Sequence, residues 1–121
     1  MVVDDEADSR DLMKAILTRC GGEVTCSESV ADAISVFKDC KPDLVVSDIG
    51  MPNEDGYMLI QKLRSQRSKR ARTVPVLALT AYATSEDRTR ALAAGFQRHL
   101  AKPLDPESLV RSLAEAIGRK I

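Results

Sequence analysis

Apolar runs of strand type alternate along this chain with amphipathic stretches of helical period. The clearest run covers residues 43–48, where Leu44, Val45 and Val46 lead into Ser47 and stop at a carboxylate, Asp48. Gly50, Met51 and Pro52 follow at once. A buried strand of this design carries Asp48 to its own carboxyl end. Residues 1–3 run in the same way into Asp4 and Asp5, residues 74–80 end at Thr80, and residues 96–101 run into Lys102 and Pro103. Residues 23–26 alternate and predict a half-buried strand at a sheet edge. Between these runs the period changes. Leu12, Met13, Ile16, Leu17 and Cys20 share one helical face, as do Val30, Ala33, Ile34 and Phe37. A third helix begins near Gly56 and buries Leu59, Ile60 and Leu63. A fourth starts at Thr84 or Ser85 and ends at Gly95. The last buries Leu109, Leu113, Ala116 and Ile117. The punctuation agrees: Gly21-Gly22 ends the first helix, Ser29 caps the second, Lys41-Pro42 stops it, and Asp105-Pro106 opens the last.

Five strands alternating with five helices predict an α/β fold with a parallel sheet covered by helices on both faces. Right-handed crossovers and one reversal of winding allow the strand order 2-1-3-4-5. That order places the first and third strands side by side, with the fourth beyond. The endings at Asp4, Asp5, Asp48 and Thr80 then become neighbours, and Lys102 reaches in from the fifth strand.

At 121 residues the chain predicts one domain, residues 1–121, with no repeat or linker. Charges balance at 18 against 18, so no global field draws it to nucleic acid or to a membrane surface. No apolar stretch reaches the roughly 20 residues of a membrane span, and the opening residues lack a signal peptide's pattern. Cys20, Cys26 and Cys40 are an odd number without a close pair. They suit a reducing cytoplasm and speak against a disulfide framework or a zinc site. Aromatic residues make up 3%, too few for a stacking platform. The stretch 64–72 holds five basic residues and no acid, and reads as a solvated helix end and loop.

The chemistry lies in the converging endings. Three carboxylates close together repel one another, and a divalent cation removes that conflict. All-oxygen ligation suits Mg²⁺, with Mn²⁺ as the alternative. An ammonium (Lys102) and a hydroxyl (Thr80) beside it are what phosphoryl transfer needs for charge compensation and positioning. With no His, Ser or Cys presented there, the nucleophile available is a carboxylate. Singly, each residue has a plainer use: Asp4 and Asp5 as helix caps, Lys102 on the surface, Thr80 at a strand end. Only their joint placement points to chemistry.

The motifs Val2-Val3-Asp4-Asp5-Glu6, Ser47-Asp48-Ile49-Gly50-Met51-Pro52 with Asp55-Gly56, Leu79-Thr80-Ala81 and Lys102-Pro103 closely resemble the response-regulator receiver domain, the CheY-like family. The resemblance covers nearly the whole chain. It implies that Asp48 is the phosphoacceptor, taking phosphate from a partner's phosphohistidine. It implies direct Mg²⁺ ligation by Asp5, Asp48 and the backbone carbonyl of Gly50, with Asp4 acting mainly through water. It also implies that Thr80 bonds the phosphoryl group and changes rotamer on activation, that Lys102 pairs with phosphoryl oxygens, and that a cis bond before Pro103 aims it.

The pattern departs from the family at three places. His99 holds the place of the switch aromatic, three residues before Lys102. It is read as a plain switch-position or surface side chain, a tuned switch, or a chemical group. Gly50 brings no side chain to the phosphoryl group, which predicts a short-lived phosphorylated state. Tyr82, two after Thr80, sits where the family tunes phosphoryl lifetime, or is a loop aromatic. Two other functions compete: a metal-dependent phosphatase of haloacid-dehalogenase type, and a pseudo-receiver that binds a partner without phosphate. A flavodoxin-like electron carrier lacks its phosphate loop here. The wording around Asp48 and Asp55 looks most like receivers fused to bacterial hybrid histidine kinases, and the abbreviated first strand suggests a segment excised from such a protein, whose parent is membrane-anchored or free. A stand-alone receiver is the alternative. The partners implied are a histidine kinase or a histidine phosphotransfer domain, with a homodimer left open, and with no direct contact to nucleic acid or membrane. The implied signalling face carries Arg88, Arg98, Glu107 and Arg111.

Overall fold

A computed structural model describes residues 1–19, 21–50, 55–80, 84–101 and 105–117 of the chain. Among these, β1 (Val2–Val3), β2 (Cys26–Ser27), β3 (Val45–Asp48), β4 (Val76–Thr80) and β5 (Arg98–Ala101) form a parallel sheet in the order β2-β1-β3-β4-β5. The helices are α1 (Ala7–Arg19), α2 (Val30–Cys40), α3 (Gly56–Arg64), α4 (Lys69–Thr73), α5 (Ser85–Ala94) and α6 (Pro106–Ile117). The predicted fold class and strand order are the ones observed.

The period of two along β3 and β4 divides the core between the two faces. Val3, Val45, Val76 and Ala78 point to the side covered by α2, α3 and α5, where they meet Val30, Phe37, Leu59, Ile60, Leu63 and Ala91. Val2, Val46, Leu77 and Leu79 point to the other side, onto Met13 and Ile16 of α1 and Leu109 and Leu113 of α6. β3 and β4 are buried along their whole length. Each fully buried Val or Leu contributes about 1.5–3 kcal/mol relative to exposure. This is why the central strands read as continuous apolar runs rather than alternating ones.

Several boundaries differ from the sequence expectation. The second strand lies at Cys26–Ser27, not at 23–26, because its partner β1 is only two residues long. Val2 N donates to Thr25 O at 2.8 Å and Asp4 N to Ser27 O at 3.1 Å, which sets that register. β3, β4 and β5 each begin two residues later than predicted. Leu12 is 50% exposed. At 100° per residue it lies roughly 90° from the centre of the stripe formed by Met13, Ile16 and Leu17, at its border. Cys20 lies outside the described residues, as does the side chain of Ile117, while Ala114 joins the core unforeseen.

The stretch 64–72 is the largest correction. It contains a sixth helix, α4, capped by Ser68. The Arg64 guanidinium is not solvated at a helix end: it donates to Ala71 O at 3.0 Å and Val74 O at 2.8 Å, which ties α3 to the end of α4. The predicted caps of the other helices hold. The Ser29 side chain accepts from Asp32 N, and that of Thr84 from Asp87 N. Gly21 (φ 86°) and Gly95 (φ 111°) take the left-handed conformation at the ends of α1 and α5.

Candidate phosphoryl and metal site

The parallel register places the functional endings together. Val3 pairs with Ser47, so Asp4 and Asp48 follow as neighbours at the carboxyl ends of β1 and β3. Asp48 in turn pairs with Leu79, one residue before Thr80. Oxygens of Asp4, Asp5 and Asp48, one from each carboxylate, all lie within 4.8 Å of one another. Asp4 is 0% exposed, Asp48 5% and Thr80 7%, whereas Asp5 faces solvent. Two ionised carboxylates at this distance repel by roughly 3 kcal/mol at an effective dielectric of about 20.

Local hydrogen bonds hold the buried pair in place. Glu6 N donates to Asp4 Oδ1 at 3.0 Å, and Arg10 Nη1 donates to the Asp4 carbonyl at 2.7 Å. Gly50 N donates to Asp48 Oδ1 at 3.2 Å, and Ser47 Oγ donates to the Asp48 carbonyl at 3.0 Å. Gly56 lets α3 start close against β3: a Cβ there would sit 2.8 Å from Asp48 O and 2.9 Å from the Ile49 Cα. Asp55 caps α3 by accepting from Met58 N at 3.0 Å. Arg10 and the role of Gly56 were not foreseen. A half-buried arginine at the border of a helix's apolar stripe adds no apolar signal to the period, and a glycine's close approach shows only in three dimensions.

The donor set fits a hard divalent ion. Every group in the cluster is a carboxylate, two of the three are buried, and their mutual repulsion is what a cation relieves. Gly50 is exposed beside them, and a Cβ on it would meet only Asp48 Oδ1, at 4.0 Å.

Of the predicted site residues, the fold brings Asp4, Asp5, Asp48, Gly50 and Thr80 to one edge. Lys102, Pro103 and Tyr82 lie outside the described residues; Ala101, which precedes Lys102, pairs with Thr80. His99 stands opposite Ala78 on β5, half-buried, its Nε2 without a hydrogen-bond partner among the described residues. Burial pushes its pKa below the usual 6.5; Asp87 pulls it up and Arg88 pushes it further down. Arg88, Arg98, Glu107 and Arg111 are exposed, and Arg98 Nη2 meets Glu115 Oε2 at 2.5 Å. A contact missed from sequence joins α3 to α5. The Arg90 guanidinium stacks 4.2 Å above the Tyr57 ring, which meets Phe96 edge-on at 5.8 Å.

The family model of the response regulator receiver domain matches residues 1–114. An uncharacterised 14.6 kDa protein of Leptolyngbya boryana is 43% identical over 111 residues, covering 92% of this chain and 83% of that protein. Chemotaxis protein CheY4 of Vibrio cholerae superposes with a TM-score of 0.88 at 27% identity, over 95% of this chain and 94% of that one. The receiver domain of a Pseudomonas aeruginosa sensor histidine kinase, described with a magnesium ion coordinated in its active site cleft, superposes with a TM-score of 0.86 at 32% identity, over 97% and 94%. The chain spans 48% of the length of a probable transcriptional regulator of Porphyridium aerugineum and 12% of a sensor histidine kinase of Salmonella typhi, both of which it also matches.

Proposed function

The chain belongs to the family of response regulator receiver domains, and from that premise we propose that Asp48 is the carboxylate that takes the phosphoryl group. The family makes the chain a phosphoacceptor of two-component signalling. The observation that supports Asp48 as the acceptor is the convergence of its carboxylate with those of Asp4 and Asp5 within 4.8 Å. In the transfer, an Asp48 carboxylate oxygen forms a bond to phosphorus as the phosphorus–nitrogen bond of a phosphohistidine breaks. The electron pair returns to the imidazole nitrogen, and an acyl phosphate remains on Asp48. Water later hydrolyses it to inorganic phosphate and the free carboxylate.

The other residues position and balance charge. Asp5, Asp48 and the Gly50 carbonyl would hold Mg²⁺, or Mn²⁺ in its place, with Asp4 acting through water. When bound, the cation supplies positive charge against the carboxylates and the phosphoryl oxygens. The Thr80 hydroxyl donates to a phosphoryl oxygen, and Lys102 offsets the charge on the group. Tyr82 and His99 belong to the switch that reports phosphorylation. The physiological donor is a histidine kinase or a histidine phosphotransfer domain, residues 1–121 act as one receiver unit, and the setting is the cytoplasm. None of the helices among the described residues is long and apolar enough to cross a membrane. The experiment is incubation with phosphoramidate or acetyl phosphate, with and without Mg²⁺, read by intact mass. A gain of one phosphoryl group that requires Mg²⁺ supports the reading. Rapid turnover of a small phosphate ester with no retained group would favour a phosphatase instead.

A further inference from the structure

The stretch 64–72 holds five basic residues and no acid, and the phosphoacceptor site uses none of them. Arg64 is spent on holding α4. Arg70 Nη1 donates to the carbonyls of Lys41 and Pro42, 3.2 Å from each, and meets Asp43 Oδ1 at 3.4 Å. This bridge seats α4 against the C-terminal end of α2, whose cap, Lys41, takes a left-handed conformation with φ 44°. Few residues other than glycine adopt that conformation.

Between α2, α3 and α4 lies an open pocket of about 190 Å³. Its floor is apolar, from Ile34, Phe37 and Leu63, and Lys38, Lys41 and Arg70 stand at its rim, all three exposed. The space exceeds the ~150 Å³ of an apolar cavity that holds a benzene-sized molecule. It is therefore large enough for a leucine side chain. Three cations surround an apolar floor, none of the described residues lining it is an acid, and Asp43 beside it is engaged by Arg70. The complement of this surface is an apolar side chain flanked by carboxylates. A nucleic acid fits less well, because the one aromatic lining the pocket, Phe37, is 5% exposed and offers no open face for stacking.

In a parallel α/β fold each helix runs back against the strand before it. The C-terminal ends of α2 and α3 therefore lie at the sheet edge opposite Asp48, so an occupant here leaves the phosphoacceptor accessible. We propose that this pocket docks an acidic segment of a partner protein, with one leucine-type side chain on Ile34, Phe37 and Leu63 and carboxylates paired with Lys38, Lys41 and Arg70. The inference stands independently of the phosphoacceptor reading.

The test is a titration of the whole isotope-labelled chain, unphosphorylated and without Mg²⁺, with a short synthetic peptide of one Leu flanked by Glu. Amide shifts are expected to centre on Ile34, Phe37, Lys41, Leu63 and Arg70. The double charge reversal Lys38→Glu, Lys41→Glu is expected to weaken binding by roughly tenfold or more. Both side chains are exposed, and circular dichroism verifies the fold of the variant. On the unaltered protein, exchanging the peptide's Leu for Ala is expected to weaken binding to a similar degree. Shifts spread over all basic residues and indifferent to the Leu exchange would overturn the proposal, as would the absence of shifts at millimolar peptide.

Discussion

Asp5 differs from its two acidic neighbours in one respect that separates metal binding from folding: it faces solvent, while Asp4 and Asp48 are buried. Replacing it should cost little packing. For Asp5→Asn we expect an unfolding temperature without metal equal to or above that of the parent, since one repelling charge is gone. The parent should gain stability on adding Mg²⁺, by about 2.7 kcal/mol at roughly 100 times the dissociation constant. The variant should lose most of that gain. Thermal unfolding with and without Mg²⁺ decides it, and equal Mg²⁺ gains in both proteins would remove Asp5 from the ligand set. Gly50 offers a second test at this scale. A side chain built there would begin 4.0 Å from Asp48 Oδ1 with nothing else near. Gly50→Asn is therefore expected to fold normally and to lengthen the half-life of the phosphorylated state, measured by the decay of the added mass. An unchanged half-life would show that the open side of Asp48 does not set the rate.

At the scale of elements, the central strands were the most legible and the short connecting helix the least. β3 and β4 are buried on both faces, so burial alone selects their residues, and the apolar runs show it directly. Helix caps are equally local: Ser29 and Thr84 act on amides three residues on. By contrast α4 has five residues and one buried side chain, Ala71, too little periodicity to notice. What holds it is Arg64, several residues away, and a long-range bond to a carbonyl leaves no mark in the local pattern. β2 was misplaced for a related reason, because its bounds depend on the length of its partner β1. Arg64→Ala removes two hydrogen bonds from a charged donor and leaves the carbonyls of Ala71 and Val74 to find water. Its expected cost is about 2 kcal/mol in urea unfolding. A cost near zero would mean that α4 is held by the Arg70 bridge, the Ser68 cap and the packing of Ala71 and Val74 without Arg64.

For the molecule as a whole, the strand order brought distant carboxylates together, and it could be foreseen from the alternation of elements together with the rules for crossovers. Distances, the Arg10 hydrogen bond and the Tyr57–Arg90 stack could not, because they depend on groups meeting across separate elements. His99 links the site's far strand to the stability of the entire fold. Burial lowers its pKa below 6.5, so the unfolded chain binds the proton more tightly. The neutral imidazole's contribution is complete above about pH 6.5 and is lost as pH falls through the lowered value. The stability difference between the parent and His99→Phe should be constant above about pH 6.5 and should shift against the parent below it. Urea unfolding of both across that interval measures it, and a difference independent of pH would contradict the burial of the ring.

The position that carries the phosphoryl group decides whether Asp48 is the acceptor. The chain is treated with phosphoramidate and Mg²⁺, the acyl phosphate is reduced with borohydride, and peptides are sequenced by mass spectrometry. Reduction to homoserine is expected at position 48 in the parent chain, and none in Asp48→Asn. A modified residue elsewhere, or undiminished phosphoryl uptake by Asp48→Asn, would contradict it.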